Sequence, residues 1–580
     1  MIEGSKRSGA FLFLLVLLWA AIWWMDRYSL GLQFSAYLWS VGAVGNALPF
    51  ATLFVLLLLL TNRLYLSFFL ALATGALLYF ISFKKYQSLG KPLSGDDFLL
   101  LQYLDSSALE LFASYVKLRW VVLAGGLGVF FVALMAYLDN PFFQRKSIAR
   151  KCSVGLLIIT LSGIWYFKGI ETIYEFNRMR FSWSNPISTL HAGLVSKIIY
   201  GEIKKSQSND MPISAAEINN VLQKNNSCMQ ASASANSSLA VVHPDIIVIQ
   251  SESFFDPDIL QGVELPNNLL RNLRQLKTAG AVGQMKVPTF GGGTIRTEYE
   301  VLTGIDLAAY PLVQFPYFEV RTPKMNSLAS EVKENGYEAI AIHGNAGSFW
   351  NRTKTFKLAG FDRFLTADDF PSDAEHDGAY LSDKSMTDLV ITQLSKADHP
   401  KFIFAISIEA HGPYTIGSIK DAAVRDAIPV PSGLSAEGAE EYRNYIYHID
   451  NADQQLGRLK NYLDARGKPY VLVFYGDHLP GLGGVYETLG FKNGAAATDQ
   501  TVPWIITSNS SQNTSSIDTS WKLGPALLKE AGLSVSPYFH LVNCLEAVSE
   551  VTGAEPEFYS VARAQTQGRL GDYVSAGEKQ

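Results

Sequence analysis

Five apolar stretches, at roughly 9 to 25, 37 to 60, 64 to 82, 120 to 138 and 152 to 168, constrain this chain before any motif does. Each approaches the ~20 residues a helix needs to cross ~30 Å of hydrocarbon, and inside a bilayer a helix satisfies its own backbone. Residues 1–168 are therefore expected to form a five-helix transmembrane domain. The segment 83–119, with its GDDFLLLQYLDSSALELFASYV run, has the apolar spacing of an interfacial helix. The first stretch follows Lys6 and Arg7 as a signal peptide would, yet it lacks a small-residue cleavage site and more spans follow.

Charge sets the expected orientation. Lys6, Arg7, Arg63 and the Arg145, Lys146, Arg150, Lys151 cluster favour a cytoplasmic N-terminus, so an odd number of spans exports everything after about residue 170. Lys84, Lys85, Lys117 and Arg119 weigh the other way. The net charge of -5, with no basic stripe interleaved with aromatics, gives no sign of a nucleic-acid partner, and none is expected. Of three cysteines, Cys152 falls at a membrane edge, whereas Cys228 and Cys544 lie in the exported part, where a disulfide is allowed.

Past the spans, 169–240 reads as juxtamembrane helices, with ISAAEINNVLQK capped by Ser214, followed by a flexible Ser, Asn and Ala linker at 225–238. From 241 to 560, strand candidates DIIVIQ, AVGQMKV, EAIAIHG, KFIFAIS, YVLVFYG and VPWIITS alternate with helical segments. That alternation predicts an α/β domain with a mainly parallel central sheet covered on both faces. Residues 561–580 form a polar tail.

The strand ends carry the chemistry. YVLVFYG delivers Asp477 and His478 side by side, one oxygen and one nitrogen ligand for a divalent metal, and DIIVIQ delivers Glu252 in the same way. Ligands of open α/β sheets collect beyond the carboxyl ends of the strands, so these groups are expected to share a crevice. Taken alone, a carboxylate ending a strand is more often a helix cap or loop solvator, and the Asp477–His478 pair reads either way. VPTFGGGTIRTEYEVLTG places Thr294 after three glycines, at a helix start. Its hydroxyl is either a cap or, with a metal to lower its pKa, a nucleophile. Thr289 and Thr297 are rival hydroxyls. HGNAGSFWNR gathers His343, Trp350, Asn351 and Arg352, an aromatic platform beside a planar fork suited to phosphate oxygens. FAISIEAHGPYT ends a strand with Glu409 and His411.

In this order and behind these spans, QSESF, GGGTIRTEYEVLTG, HGNAGSFWNR, EAHGPY and FYGDHLP resemble the lipoteichoic acid synthase family of phosphoglycerol transferases, within the sulfatase and alkaline phosphatase superfamily. The resemblance implies one divalent metal, usually manganese with magnesium or zinc as alternatives, on Glu252, Thr294, Asp477 and His478. It implies Thr294 as nucleophile, and Trp350, Arg352 and His411 around the glycerophosphate group, with His343 in support. His411 is the expected acid for the leaving alkoxide or a phosphate ligand. The implied partners are a phosphatidylglycerol donor, a glycan or polyglycerolphosphate acceptor and the membrane. The implied location is the bacterial cytoplasmic membrane, with the catalytic domain outside. Gly293 stands where some relatives carry Lys or Arg, and no C/S-x-P-x-R motif for formylglycine occurs, which disfavours sulfate-ester hydrolysis. A phosphoethanolamine transferase of the same superfamily and a non-catalytic lipid-binding regulator are the alternatives.

Overall fold

The computed structural model describes residues 2–30, 41–89, 91–103, 118–143, 148–166, 169–170, 193–210, 215–236, 243–309, 313–319, 325–396, 399–414, 419–509, 517–545, 560–562 and 564–565. Contacts divide the chain into two compact units. One comprises Met1–Gln102 and Leu111–Met211, the other Tyr103–Glu110 and Pro212–Gln580. Ser214, the SWSNP segment and nearly all of the polar tail lie outside the described residues.

The first unit contains α1 (Ile2–Leu30), α2 (Val41–Thr61), α3 (Leu64–Leu89), α4 (Leu118–Leu138), α5 (Ile148–Tyr166) and α6 (Leu194–Asp210). Helices α1 to α3 bury Leu18, Ile22, Phe50, Phe54 and Tyr79 against one another. Among the described residues, four helical stretches are long and apolar enough to cross a membrane: Arg7–Ser29, Ala43–Thr61, Leu64–Gln87 and Val121–Leu138. The fifth expected span, 152 to 168, is not one of them. Helix α5 opens with Arg150 and Lys151, and Arg150 donates to the carbonyls of Leu59 and Leu60 at the end of α2, so its described apolar run from Cys152 to Tyr166 falls short of the ~20 residues required.

Two polar side chains buried among these helices have a structural task. Asp26 accepts from the Leu194 amide at 3.0 Å and Asn46 from the Ser196 amide at 2.6 Å, so both satisfy donors in the first turn of α6. The described part of the expected interfacial segment is a 3-10 helix, Gly95–Tyr103. Asp97 pairs with Lys85 at 2.6 Å and Asp96 with Lys205, which pins the segment to α3 and α6.

In the second unit, α7 (Ala215–Asn236) runs through the stretch read as a linker. That composition is polar, yet Cys228 is disulfide-bonded to Cys544, and Ser232, one turn on, bonds His540 at 2.9 Å. Long-range bonds therefore supply the order that hydrophobicity does not.

A seven-stranded sheet follows, built from β1 (Asp245–Ser251), β2 (Val282–Met285), β3 (Glu338–His343), β4 (Arg363–Leu365), β7 (Lys401–Ile406), β8 (Tyr470–Gly476) and β9 (Val502–Ser508), with β5 (His376–Asp377) and β6 (Tyr380–Leu381) forming a separate hairpin. The order is β2-β9-β8-β1-β7-β3-β4, parallel from β8 to β4, with β9 antiparallel to both neighbours. Strands β1, β7 and β8 are buried at every position, as unbroken apolar runs require when both faces are covered. The helices that position the site are α8 (Ile295–Thr303), α9 (Arg352–Ala359), α10 (Asp383–Leu394) and α11 (Ala436–Ala465). Helix α12 (Pro537–Cys544) carries the second disulfide cysteine.

Candidate active site

Parallel neighbours β1 and β8 run in register, Ser251 opposite Gly476, so the residues after both strands emerge side by side. The chain then turns sharply. Ser253 takes φ 54, a left-handed conformation costly for a side-chain-bearing residue, and its amide reaches Asp477 Oδ1 at 2.7 Å. Gly476 permits the approach, because a Cβ there would lie 1.8 Å from the Phe254 carbonyl oxygen.

Glu252, Asp477 and His478 consequently converge, each buried, with one ligand atom apiece within 4.8 Å of the others. His478 Nε2 lies 3.6 Å from Glu252 Oε1 and 3.3 Å from Asp477 Oδ2. Asp477 Oδ1 is satisfied by the Ser253 and His478 amides, whereas Oδ2, also buried, accepts no hydrogen bond. Burial pushes Asp477 up to about 7; burial and then the Asp477 charge push Glu252 up as well. Two carboxylates held in this way, with a spare oxygen beside an imidazole nitrogen, fit a divalent cation, whose charge would cancel the cost of bringing them together.

Thr294 occupies the N-cap of α8, but its side chain makes no capping bond. Its hydroxyl instead faces Glu252 Oε2 at 3.3 Å. The rivals are spent on backbone: Thr297 donates to the Asp477 carbonyl at 2.6 Å, and Thr289 to the Gly292 carbonyl. Gly293, at φ 82, supplies the left-handed turn that presents Thr294. Arg296, mostly buried, donates to the carbonyls of Pro288, Val313 and Gln314, which holds the glycine loop's flank.

Arg352 opens helix α9. It is buried, and its fork grips Glu298: Nε lies 3.2 Å from both carboxylate oxygens and Nη2 3.0 Å from Oε2. Its Nη1 donates to His343 Nε2 at 3.1 Å, while His343 Nδ1 donates to the Ile406 carbonyl at 3.0 Å. These bonds fix the His343 tautomer. Burial, then the Arg352 charge, holds His343 well below the ordinary histidine range, hence neutral. Tyr317 completes the cluster by donating to Glu298 Oε1 at 2.6 Å. Trp350 and Asn351, just before Arg352, take φ 59 and 60, and the half-buried Trp350 ring packs 4.9 Å from that of Phe315.

His411 follows β7. Its Nδ1 lies 2.7 Å from the Gly412 carbonyl oxygen, which it meets as a donor, so Nε2 remains for a ligand. Glu298, Tyr317 and Ser253 join the site without having been expected from the motifs. Glu298 is legible in the sequence, since it follows Thr294 by one helical turn and so shares its face. Nothing local marks Ser253 or Tyr317.

Residues 244–532 match the family described as Sulfatase. A Rhizobium meliloti protein named for cyclic β-1,2-glucan modification is 32% identical over 307 residues, spanning 51% of this chain and 46% of that one. The chain thus spans less than half of that relative's length. Lipoteichoic acid synthase 2 of Bacillus subtilis is 25% identical over 173 residues, 29% of this chain and 25% of the synthase. Among solved structures, the Streptococcus pyogenes phosphoglycerol transferase GacH, in complex with sn-glycerol-1-phosphate, superposes with a TM-score of 0.52. It is 22% identical, covers 63% of this chain and 97% of its own, and shares the fold.

Proposed function

From a chain whose residues 244–532 are a sulfatase-family domain of the alkaline phosphatase superfamily, we infer a membrane-anchored transferase that moves glycerol phosphate from phosphatidylglycerol to an envelope glycan or polyglycerolphosphate acceptor. The observation that carries the reading is the Thr294 hydroxyl, uncommitted to the backbone and 3.3 Å from a buried carboxylate of a three-residue metal-ligand set. Glu252, Asp477, His478 and Thr294 Oγ would hold one divalent ion, manganese on the resemblance. Such an ion, when bound, lowers the pKa of a ligated hydroxyl and offsets charge on phosphoryl oxygens.

With its proton released to solvent, Thr294 Oγ attacks the lipid phosphorus, a new O–P bond forming as the bond to diacylglycerol breaks. His411 Nε2 gives its proton to the departing alkoxide. The glycerophospho-threonine then meets an acceptor hydroxyl, whose oxygen bonds phosphorus as Thr294 Oγ leaves, and His411 recovers the proton. Trp350 offers an aromatic face to the glycerol. The spans suit a donor whose headgroup lies at the membrane surface, and the Cys228–Cys544 disulfide favours an oxidising, extracytoplasmic compartment for this unit.

Membranes containing the full chain, incubated with headgroup-labelled phosphatidylglycerol without acceptor, should release diacylglycerol and label the protein on Thr294. Thr294→Ala should carry no label. Equal labelling of that variant would remove Thr294 as nucleophile. Labelling from phosphatidylethanolamine in place of phosphatidylglycerol would make the chain a phosphoethanolamine transferase.

A further inference from the structure

His411 sits at the end of a tight turn, Ile408 to His411, closed by the His411 amide on the Ile408 carbonyl at 3.0 Å. Glu409 is the second residue of that turn. It ends no helix and holds no metal in the arrangement above, yet it is 2% exposed, and burying a carboxylate there is expensive unless it is fully bonded. It is. Oε2 accepts from the Asp383 amide at 2.7 Å, and Oε1 accepts from His448 Nδ1 at 3.0 Å and Asn451 Nδ2 at 2.7 Å. The donors come from two helices, the first turn of α10 and the middle of α11. Tyr414 holds the next residue by donating to the Ala410 carbonyl at 2.8 Å.

Burial of this kind would serve stability equally well from any part of the turn. Its position argues for more. Residue 409 lies in the turn by which the chain leaves β7, and Ser407, two positions towards the strand, accepts through its hydroxyl from the Glu252 amide at 2.8 Å. Both ends of the Ser407–His411 segment thus bear on the site, one on a metal-ligand residue's backbone and the other on the proposed proton donor. We propose that Glu409 is a positioning residue for phosphoryl transfer, aiming His411 through the turn by fastening it to α10 and α11. The proposal rests on the reading of His411 as proton donor.

A double-mutant cycle on the full-length protein in membranes tests it, with transfer from headgroup-labelled phosphatidylglycerol measured for His411→Gln, Glu409→Gln and the pair. An amide at 409 turns one donor towards a neighbour that already donates, so the turn loses a fastening. Glu409→Gln should lower kcat about tenfold or more with the donor KM within about threefold, a split expected when alignment in the transition state is lost. In the His411→Gln background the same change should cost less than about threefold. A full additive loss in the double variant, or a parental kcat for Glu409→Gln, would overturn the positioning role and leave His411 as donor. A parental rate for His411→Gln would overturn both.

A second pair guards against misfolding. His448→Leu removes one fastening without touching the turn and should reproduce the kcat loss, whereas His448→Asn, which returns an N–H donor, should restore most of it. Equal rates for the two would overturn the proposal.

Discussion

The two sides of the site treat buried charge in opposite ways. On one side Glu252 and Asp477 are pressed together against His478, with an Asp477 oxygen that accepts no hydrogen bond and carboxyls pushed above their ordinary range by burial. On the other, Arg352, Glu298, His343 and Tyr317 are equally buried, but the Glu298 carboxylate takes three guanidinium contacts and a phenol, and Arg352 still reaches His343. The first side stores a cost that a cation from outside would relieve. The second is complete within the chain. A functional site and its scaffold differ here in whether the charges balance before any ligand arrives, though both include a buried glutamate and a buried histidine.

The sharpest way to break that comparison is to remove one charge from each side. Asp477→Asn should abolish transfer, by about a thousandfold or more, and lower bound divalent metal. Its effect on the metal-free protein should be the reverse of damage. The Asp477 pKa lies near 7 in the folded state, above the 3.8 of an unperturbed group, so ionised Asp477 costs stability increasingly as pH rises from about 4 to 7. Above that window the chelated Asn variant should melt higher than the chelated parent. A lower melting temperature would mean that Asp477 is structural.

Removing charge from the balanced side should do the opposite. Arg352→Lys keeps the charge but replaces the fork with a single point, and Glu298→Gln leaves Arg352 buried with one full charge uncompensated. Each should cost on the order of 2–4 kcal/mol of stability and about tenfold or more in rate. Melting curves run beside the activity assay separate this from direct phosphate contact: an Arg352→Lys protein that melts like the parent while losing rate would put the guanidinium back on the substrate.

The same contrast explains what could be read in advance. Strands β1, β7 and β8 announce themselves as apolar runs, because a strand covered on both faces must be apolar throughout. Strand β4 is three residues, Arg363–Leu365, with no such run. Glu252, Asp477 and His478 were legible as strand-end ligands because topology alone brings the ends of parallel neighbours together. The partner of Arg352 was not, since a guanidinium fits phosphate and carboxylate alike and Glu298 is 54 positions away in sequence. Nor was helix α7 legible, as its order comes from Cys544 and His540 far along the chain.

Glu300 offers an intermediate case, and the smallest effect. It lies on α8 two residues beyond Glu298 and is buried; it accepts from the Leu307 amide at 2.8 Å and from Ser520, and the Arg296 charge acts on it more weakly than burial does. Burial first, then the neighbouring Asp306, push its carboxyl up to about 8. The folded protein therefore keeps a proton there that the unfolded chain, with a pKa near 4.5, has lost. Between about pH 4.5 and 8 the parent loses stability as pH rises, and below that window the group is protonated in both states and contributes no slope. Glu300→Gln keeps the acceptor for Leu307, places an N–H donor towards Ser520 and removes the titration. The variant should match the parent near pH 4.5 and exceed it by on the order of 1–3 kcal/mol at pH 8 and above, with transfer unaffected. Chemical denaturation at the two pH values measures the difference. A variant less stable than the parent at pH 8 would mean that Glu300 is ionised and compensated, and that α8 carries two balanced acids.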